Sequence, residues 1–355
     1  MSDKPIRVGV NGFGRIGRTV SRIVAERPNL RLVAINDIAE DVANLAYLYN
    51  YDSTYGRPDK RAALQPSGGM MIGGEAVRVF QCADVRQAAW SKAGIDVLID
   101  SSGVLDNVRR APELVRGGAV PKVIVTHSPA EAIDHYWILG VNDEGYDLRR
   151  HHVLSSSICD ANAIAHPLAL IDRQIGIVSG FVTTLHPWLS YQNLVDAPLS
   201  SQSNPGHFWK DYSLGRGSVG AIFPKDTTAV RALDPVLPGL SARIQGFSYR
   251  IPTAVVASAD ITLQLAVDTT EDAVRTLLHQ LVTSSPYVEA NEESLISIDY
   301  ERSSASVVID MQWVRLINGR TLKLVLWYDN EWGYSSRVVD MAARVGAERR
   351  QGAGT

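Results

Sequence analysis

"IRVGVNGFGRIGRTVSRIVAERPNL", residues 6–30, decides how the first half of this chain folds. Ile6, Val8 and Val10 alternate with other residues, the period of a buried strand. G-x-G-x-x-G follows at Gly12, Gly14 and Gly17. Val20, Ile23 and Val24 then recur at helical spacing, and Pro28 ends the run. The glycines of such a turn have separate jobs. One makes the bend, one lets backbone approach a pyrophosphate, and one lets helix close on strand. The free N–H groups of the helix start then face the phosphates. A second strand, "RLVAIND", ends at Asp37, 20 residues beyond Gly17, where an acid that holds a ribose 2′-OH belongs. An acid there repels a 2′-phosphate, so NAD is expected rather than NADP.

Two further strand-like runs, "GIDVLIDSSG" and "PKVIVTHSP", end in small polar residues. In an open parallel sheet that edge binds ligands, which makes Ser102, Gly103 and Ser128 candidates to line the cofactor groove. The expected architecture is α/β, a Rossmann-type doubly wound NAD domain over 1–158. An α+β catalytic domain with a mixed or antiparallel sheet follows over 159–334. A last helix, at about 335–350, packs back on the first domain.

The 355 residues suffice for two domains and a sizeable core. A hydrophobic share of 45% and a charged share of 21% are ordinary for a globular chain. A net charge of −3 gives no field that selects nucleic acid or an anionic membrane. No apolar run reaches membrane-spanning length, and the N-terminus carries no signal-peptide core. Two cysteines, Cys82 and Cys159, cannot build a disulfide framework and lack metal-type spacing, so no metal is expected and a cytoplasmic place is. "APLSSQSNPGHF" (197–208) reads as a long loop, and the tail "ERRQGAGT" should fray.

In the second half, "HHVLSSS" reads as a strand, followed by a turn and a helical run "ANAIAHPLALID". That order puts Cys159 at a helix N-terminus, where dipole and free N–H groups favour a thiolate. A thiolate beside a nicotinamide suggests attack on an aldehyde, hydride transfer to NAD and a thioester. His186, ending the strand "FVTTLHPWLS", is the best candidate base. On the residues alone, a buried inert cysteine remains an alternative.

"VGVNGFGRIGR", "AINDI", "YDSTYG", "VNDEGYD", "RIPT" and "WYDNEWGYSSRVVD" stand in the order and near the spacing of glyceraldehyde-3-phosphate dehydrogenases, which the chain resembles over nearly its full length. In that family an Asn lies three residues after the catalytic Cys and the catalytic His 27 residues after it. Asn162 and His186 fit both. The resemblance implies NAD-dependent oxidation of a small phosphorylated aldehyde and a homotetramer, with neither nucleic-acid nor membrane partners. It also implies that Arg15 and Ile16 flank the pyrophosphate and adenosine, and that Asn36 and Asp37 hold the adenosine ribose. Asn330 would hold the nicotinamide carboxamide, with Tyr334 packing nearby. Arg250 would bind the substrate phosphate, with Arg216, Thr227 and Thr228 around the second anion site.

The departures from the family cluster at the anion sites. Ile158 and Asp160 stand where the family has Ser and Thr beside the nucleophile. Leu189 and Tyr191 replace two phosphate-binding threonines after the His, Lys225–Thr228 replaces Ser-Ser-Thr-Gly, and the 198–224 loop is longer. Erythrose-4-phosphate dehydrogenases also lack those two threonines and release a free acid, but keep the Ser-Cys-Thr-Thr-Asn-Cys block lost here. Asp160 therefore has three readings. It is a helix-start residue facing away, or water cleaves the thioester, or the substrate presents something other than phosphate. A chain that binds NAD without this chemistry is the reading from another class.

Overall fold

The computed structural model describes residues 4–66, 68–198 and 211–352. The chain divides into two compact units. The first takes in the residues up to Trp137, then Glu144–Ser157 and the chain from Ser335 on. The second takes in Ile138–Asp143 and Ile158–Tyr334. The division differs from a single cut at 158/159 because a short segment, 138–143, leaves the first unit for the second.

In the first unit the strands are β1 (Ile6–Asn11), β2 (Leu30–Asn36), β3 (Ala62–Leu64), β4 (Met70–Ile72) and β5 (Glu75–Phe80). They continue as β6 (Val97–Asp100), β7 (Val123–Val125), β8 (His135–Tyr136) and β9 (Val153–Ser155). Helices α1 (Arg15–Glu26), α2 (Val42–Asn50), α3 (Trp90–Ala93) and α4 (Leu105–Arg116) alternate with them. The sheet runs β3-β4-β5-β2-β1-β6-β7-β9-β8. Its central run β5-β2-β1-β6-β7-β9 is parallel throughout. Counted along the parallel strands, that order is third, second, first, fourth, fifth, sixth, the doubly wound dinucleotide order with its switch point between β1 and β6. Val8, Val10, Leu98 and Ile99 are fully buried there, as strands covered on both faces must be. The expected strand "HHVLSSS" narrows to β9. His151 instead accepts the Asp147 N–H at Nδ1, and the His152 N–H is held by Asp134.

The second unit begins with α5 (Cys159–Gln174), then β10 (Ile177–Pro187), β11 (Phe223–Asp226), β12 (Ile244–Ile251) and β13 (Ala257–Leu265). It continues through α6 (Glu271–Ser284), β14 (Val288–Asn291), β15 (Val307–Asp310), β16 (Arg315–Ile317) and β17 (Thr321–Tyr328). The sheet order is β11-β12-β10-β13-β17-β15-β14, with β16 beside β17. It is mixed. β10 pairs parallel to β12 and antiparallel to β13, and β13 is antiparallel to β17. α5 is buried over most of its length. Ala161, Ile164, Leu168 and Ile171 repeat at helical spacing and are at most 1% exposed. Each such large side chain contributes about 1.5–3 kcal/mol. Together they offset the lost backbone bond at Pro167, which sits inside the helix.

The last helix, α7 (Trp332–Gly352), begins in the second unit and lies mostly in the first. The described part of the tail is helical, and 353–355 lie outside the described residues. Arg349 and Arg350 sit on the two oxygens of Asp96, at 2.7 and 2.5 Å, and Arg350 also reaches the Pro5 carbonyl, so helix persists to Gly352. The expected loop at 197–208 falls mostly on 199–210, outside the described residues. Beyond it come a short turn, Tyr212–Gly215, and then β11.

Candidate active site

The glycine loop is shaped by close approach. Gly12 has φ +84°, and a β-carbon there would lie 2.5 Å from Ser102 Cα. A β-carbon on Gly17 would lie 1.9 Å from the Gly12 carbonyl oxygen. Gly14 caps α1 without a side chain, and no acid occupies that helix's first turn. The N–H groups at this end thus stay open to an anion. Asp37 is not free-standing. One of its oxygens accepts the Phe13 N–H at 2.6 Å and the other the Ala39 N–H at 2.9 Å, so the acid braces the loop it complements. Arg15 pairs with Asp52 at 2.6 Å, and Ile16 follows it half-buried on α1. These residues fit a dinucleotide, which would supply a hydride acceptor when bound.

Other candidates are placed differently from expectation. Asn36 is 3% exposed, and its amide is committed to Asn11 and to both backbone groups of Cys82. Those bonds engage its oxygen and both of its N–H groups within the unit. The Ser102 hydroxyl donates to Asp100 at 2.7 Å and accepts from Asn107. Gly103 is exposed with φ +69°, and Ser128 is half-buried. Sequence reasoning missed Ser101, whose hydroxyl donates to the Gly12 carbonyl at 2.7 Å, and the buried Asn11–Asp100 bond at 2.9 Å. The polar ends of β1 and β6 were the available signal for both.

In the second unit the sheet order brings chemistry to one edge. His186 is the last residue but one of β10, and Arg250 is its partner on the parallel strand β12. Tyr328 ends β17, opposite Ala257 at the head of β13. The N-terminus of α5 meets this edge. Cys159 Sγ lies 3.7 Å from His186 Nε2 and 3.6 Å from Asp160 Oδ1. His186 Nδ1 is 2.8 Å from the Pro187 carbonyl, which requires its proton on Nδ1 and turns the Nε2 lone pair to the sulfur. Asn162 donates to the Ile158 carbonyl and locks the first turn.

Asp160 therefore does not face away. It is 6% exposed, points at the sulfur and accepts the Tyr328 hydroxyl at 2.7 Å. This changes the thiol. Burial pushes the Cys159 thiol well above its usual range, and the Asp160 charge pushes it the same way. The Asp160 N–H and the Arg250 charge oppose them only in part. Burial lowers His186, with Asp160 pulling it back. Both shifts run toward a neutral thiol and a neutral imidazole, against the thiolate that the helix dipole alone favours, because desolvation and a carboxylate oppose it.

Arg250 is buried. It donates to Tyr191 Oη at 3.2 Å and Ser248 Oγ at 3.3 Å, both neutral acceptors. Tyr191, which stands in place of a phosphate-binding threonine of the family, thus orients Arg250. Arg216 is exposed and paired with Asp196 at 3.2 Å. Thr227 accepts the Ala229 N–H, and Thr228 is exposed. Asn330 is buried, and its Oδ1 has no hydrogen-bond partner among the described residues, an orphaned acceptor suited to an amide N–H. Tyr334 is buried four residues on.

A doubly wound unit with a glycine cradle, joined to a mixed-sheet unit carrying a Cys/His pair, defines an NAD-dependent dehydrogenase. The family model described as "Glyceraldehyde 3-phosphate dehydrogenase, NAD binding domain" matches residues 6–108, and "Glyceraldehyde 3-phosphate dehydrogenase, C-terminal domain" matches residues 158–330. The chain belongs to the glyceraldehyde-3-phosphate dehydrogenase family. It is 34% identical to the glyceraldehyde-3-phosphate dehydrogenase of Geobacillus stearothermophilus over 345 residues, 97% of this chain and 99% of that protein. It is 36% identical to the cytosolic enzyme of Gracilaria gracilis over 343 residues, 96% and 98% of the two chains. Among the described residues no helix is long and apolar enough to cross a membrane.

Proposed function

We propose that the chain oxidises a small phosphorylated aldehyde with NAD through a thioester on Cys159, and that water takes the acyl group. The observation that carries the chemistry is the 3.7 Å approach of Sγ to the free lone pair of His186 Nε2. His186 takes the thiol proton as the sulfur–carbon bond forms. It returns that proton to the developing oxyanion, so no charge separation builds up in the buried site. It takes the hydroxyl proton again as the carbon is oxidised, the step for which a bound nicotinamide would supply the hydride acceptor. After that proton passes to solvent, His186 accepts one from the attacking water. The carbon–sulfur bond then breaks, and the sulfur recovers the proton from His186. The balance is aldehyde, NAD and water to acid, NADH and a proton. Arg250, with its neutral acceptors, is suited to the substrate phosphate.

Phosphate as acyl acceptor is the family default. Asp160 favours water, because a buried carboxylate 3.6 Å from the sulfur repels an incoming anion where family members carry a hydroxyl. Self-association is part of the proposal. Phe181 and Phe247 stand on one face of adjacent strands β10 and β12 at 60% and 38% exposure, an apolar face a homotetramer would cover. Both cysteines are free, which suits the cytoplasm.

The experiment is NADH formation with purified protein, NAD and glyceraldehyde 3-phosphate, with and without inorganic phosphate, and erythrose 4-phosphate in parallel. Turnover indifferent to phosphate is expected. Strict phosphate dependence would restore the phosphorylating reaction. NAD binding without turnover of either aldehyde would leave a binding protein.

A further inference from the structure

The sequence offered no metal spacing, yet the fold assembles a donor set from three residues. Cys159, Asp160 and His186 bring one sulfur, one oxygen and one nitrogen to within 4.8 Å of one another. Two of these edges are 3.6 Å (sulfur to Asp160 Oδ1) and 3.7 Å (sulfur to His186 Nε2). A tetrahedral zinc with bonds of about 2.3 Å to sulfur and about 2.0–2.1 Å to nitrogen or oxygen has sulfur–nitrogen and sulfur–oxygen edges of about 3.6 Å. Both sulfur edges thus match zinc, and the nitrogen–oxygen edge, within 4.8 Å, has only to close to the roughly 3.3 Å of a tetrahedral ion by side-chain rotation.

The surrounding groups point the same way. His186 has its Nδ1 fixed on the Pro187 carbonyl at 2.8 Å, which orients the Nε2 lone pair as ligating histidines are usually oriented. Asp160 is steadied by the Tyr328 hydroxyl, which donates to it at 2.7 Å, an outer hydrogen bond of the kind found around metal ligands. Both ligands are buried, at 6% and 5% exposure, so water competes poorly for them. Thiolate, imidazole and carboxylate together suit zinc better than magnesium or calcium, which prefer oxygen alone. Three protein ligands leave the fourth position to water or an anion.

We propose that the Cys159–Asp160–His186 cluster binds one Zn2+ and that the ion reversibly blocks the nucleophile. On binding, the thiol proton passes to solvent, a zinc–sulfur bond forms, and the His186 lone pair is taken. Neither residue can then act on an aldehyde. Asp160 makes this chain sensitive to zinc, since without it only a sulfur and a nitrogen remain.

The test uses the full chain, stripped with a chelator, without aldehyde. Its readout is metal binding, so a failure here leaves the NADH assay untouched and the two readings fail separately. Co2+ titration should give an intense near-ultraviolet thiolate-to-cobalt band saturating at one ion per chain. Competition with a chromogenic chelator should give the zinc affinity. Zinc should protect Cys159 from iodoacetamide until chelator is added. Loss of even an outer partner costs about 10–100-fold in affinity, so Asp160→Asn, removing a ligand, should weaken zinc by on the order of 100-fold. Asp160→Ser, with NAD binding as the check of folding, should do the same. Unchanged affinity in both variants would overturn the proposal. So would a cobalt band that survives Cys159→Ser, which would put the metal on Cys82.

Discussion

Two helices of this molecule begin after a strand, and they treat charge in opposite ways. α1 starts at a bare glycine loop with no acid in its first turn, and its N–H groups stay open to an anion. α5 starts at Cys159 with Asp160 immediately behind it, and that acid turns back toward the sulfur rather than out to solvent. One helix start is built to receive a phosphate. The other carries its own negative charge and resists a second. The same local device therefore suits an anion in one unit and, with an acid beside the sulfur, opposes one in the other, which is what the proposed choice of water as acyl acceptor rests on.

The largest expected effect breaks the first half of that contrast. Gly17→Ala puts a methyl 1.9 Å from a backbone oxygen that has no flexible end to move. It should abolish NAD binding and cost about 3 kcal/mol or more of stability. Titration of NAD by fluorescence and a thermal melt check it. An unchanged melt would mean the loop is looser than its geometry implies.

A smaller effect sharpens the second half. Burial and then the Asp160 charge hold the Cys159 thiol up. A raised thiol is protonated, and slow to react, up to a higher pH than an exposed cysteine near 8.5. Asp160→Asn removes the second cause and leaves the first. The pH profile of iodoacetamide reaction should move to lower pH, with severalfold faster labelling near neutrality. Superimposed profiles would assign the effect to burial alone.

The smallest effect tests the support of that acid. Tyr328→Phe removes the hydroxyl that donates to Asp160 and should cost about 1 kcal/mol. With that donor gone the Asp160 charge acts more fully on the Cys159 thiol, so the same labelling profile should shift slightly to higher pH. A chemical-denaturation curve with unchanged midpoint would argue that solvent replaces the lost donor.

The first unit was legible in the chain because its signals are local. Strand period, glycine spacing and an acid at a fixed distance all lie within residues 6–37, and the parallel order follows from that unit. The Cys/His pair was legible as a pairing but not as a state. The helix start of α5 favours a thiolate, whereas burial and the Asp160 charge push toward the thiol. Asn36 shows the same limit. Its position at the ribose end of β2 could be read, but not that Asn11 and Cys82 consume its amide.

What the sequence determined by itself is the dinucleotide turn and the order of the elements around it, since short-range periodicity and spacing fix these; the pairing of Cys159 with His186 was implied by the resemblance to the family. What only the tertiary structure decided is which way Asp160 points, that Tyr328 from 168 residues away meets it, and that His186 and Arg250 become neighbours. Ser157 enters α5 with φ +59°, a left-handed turn that costs roughly 1–2 kcal/mol outside glycine and that the surrounding packing must hold. Those outcomes depend on long-range strand pairing and on desolvation, and neither is written in any stretch of neighbouring residues.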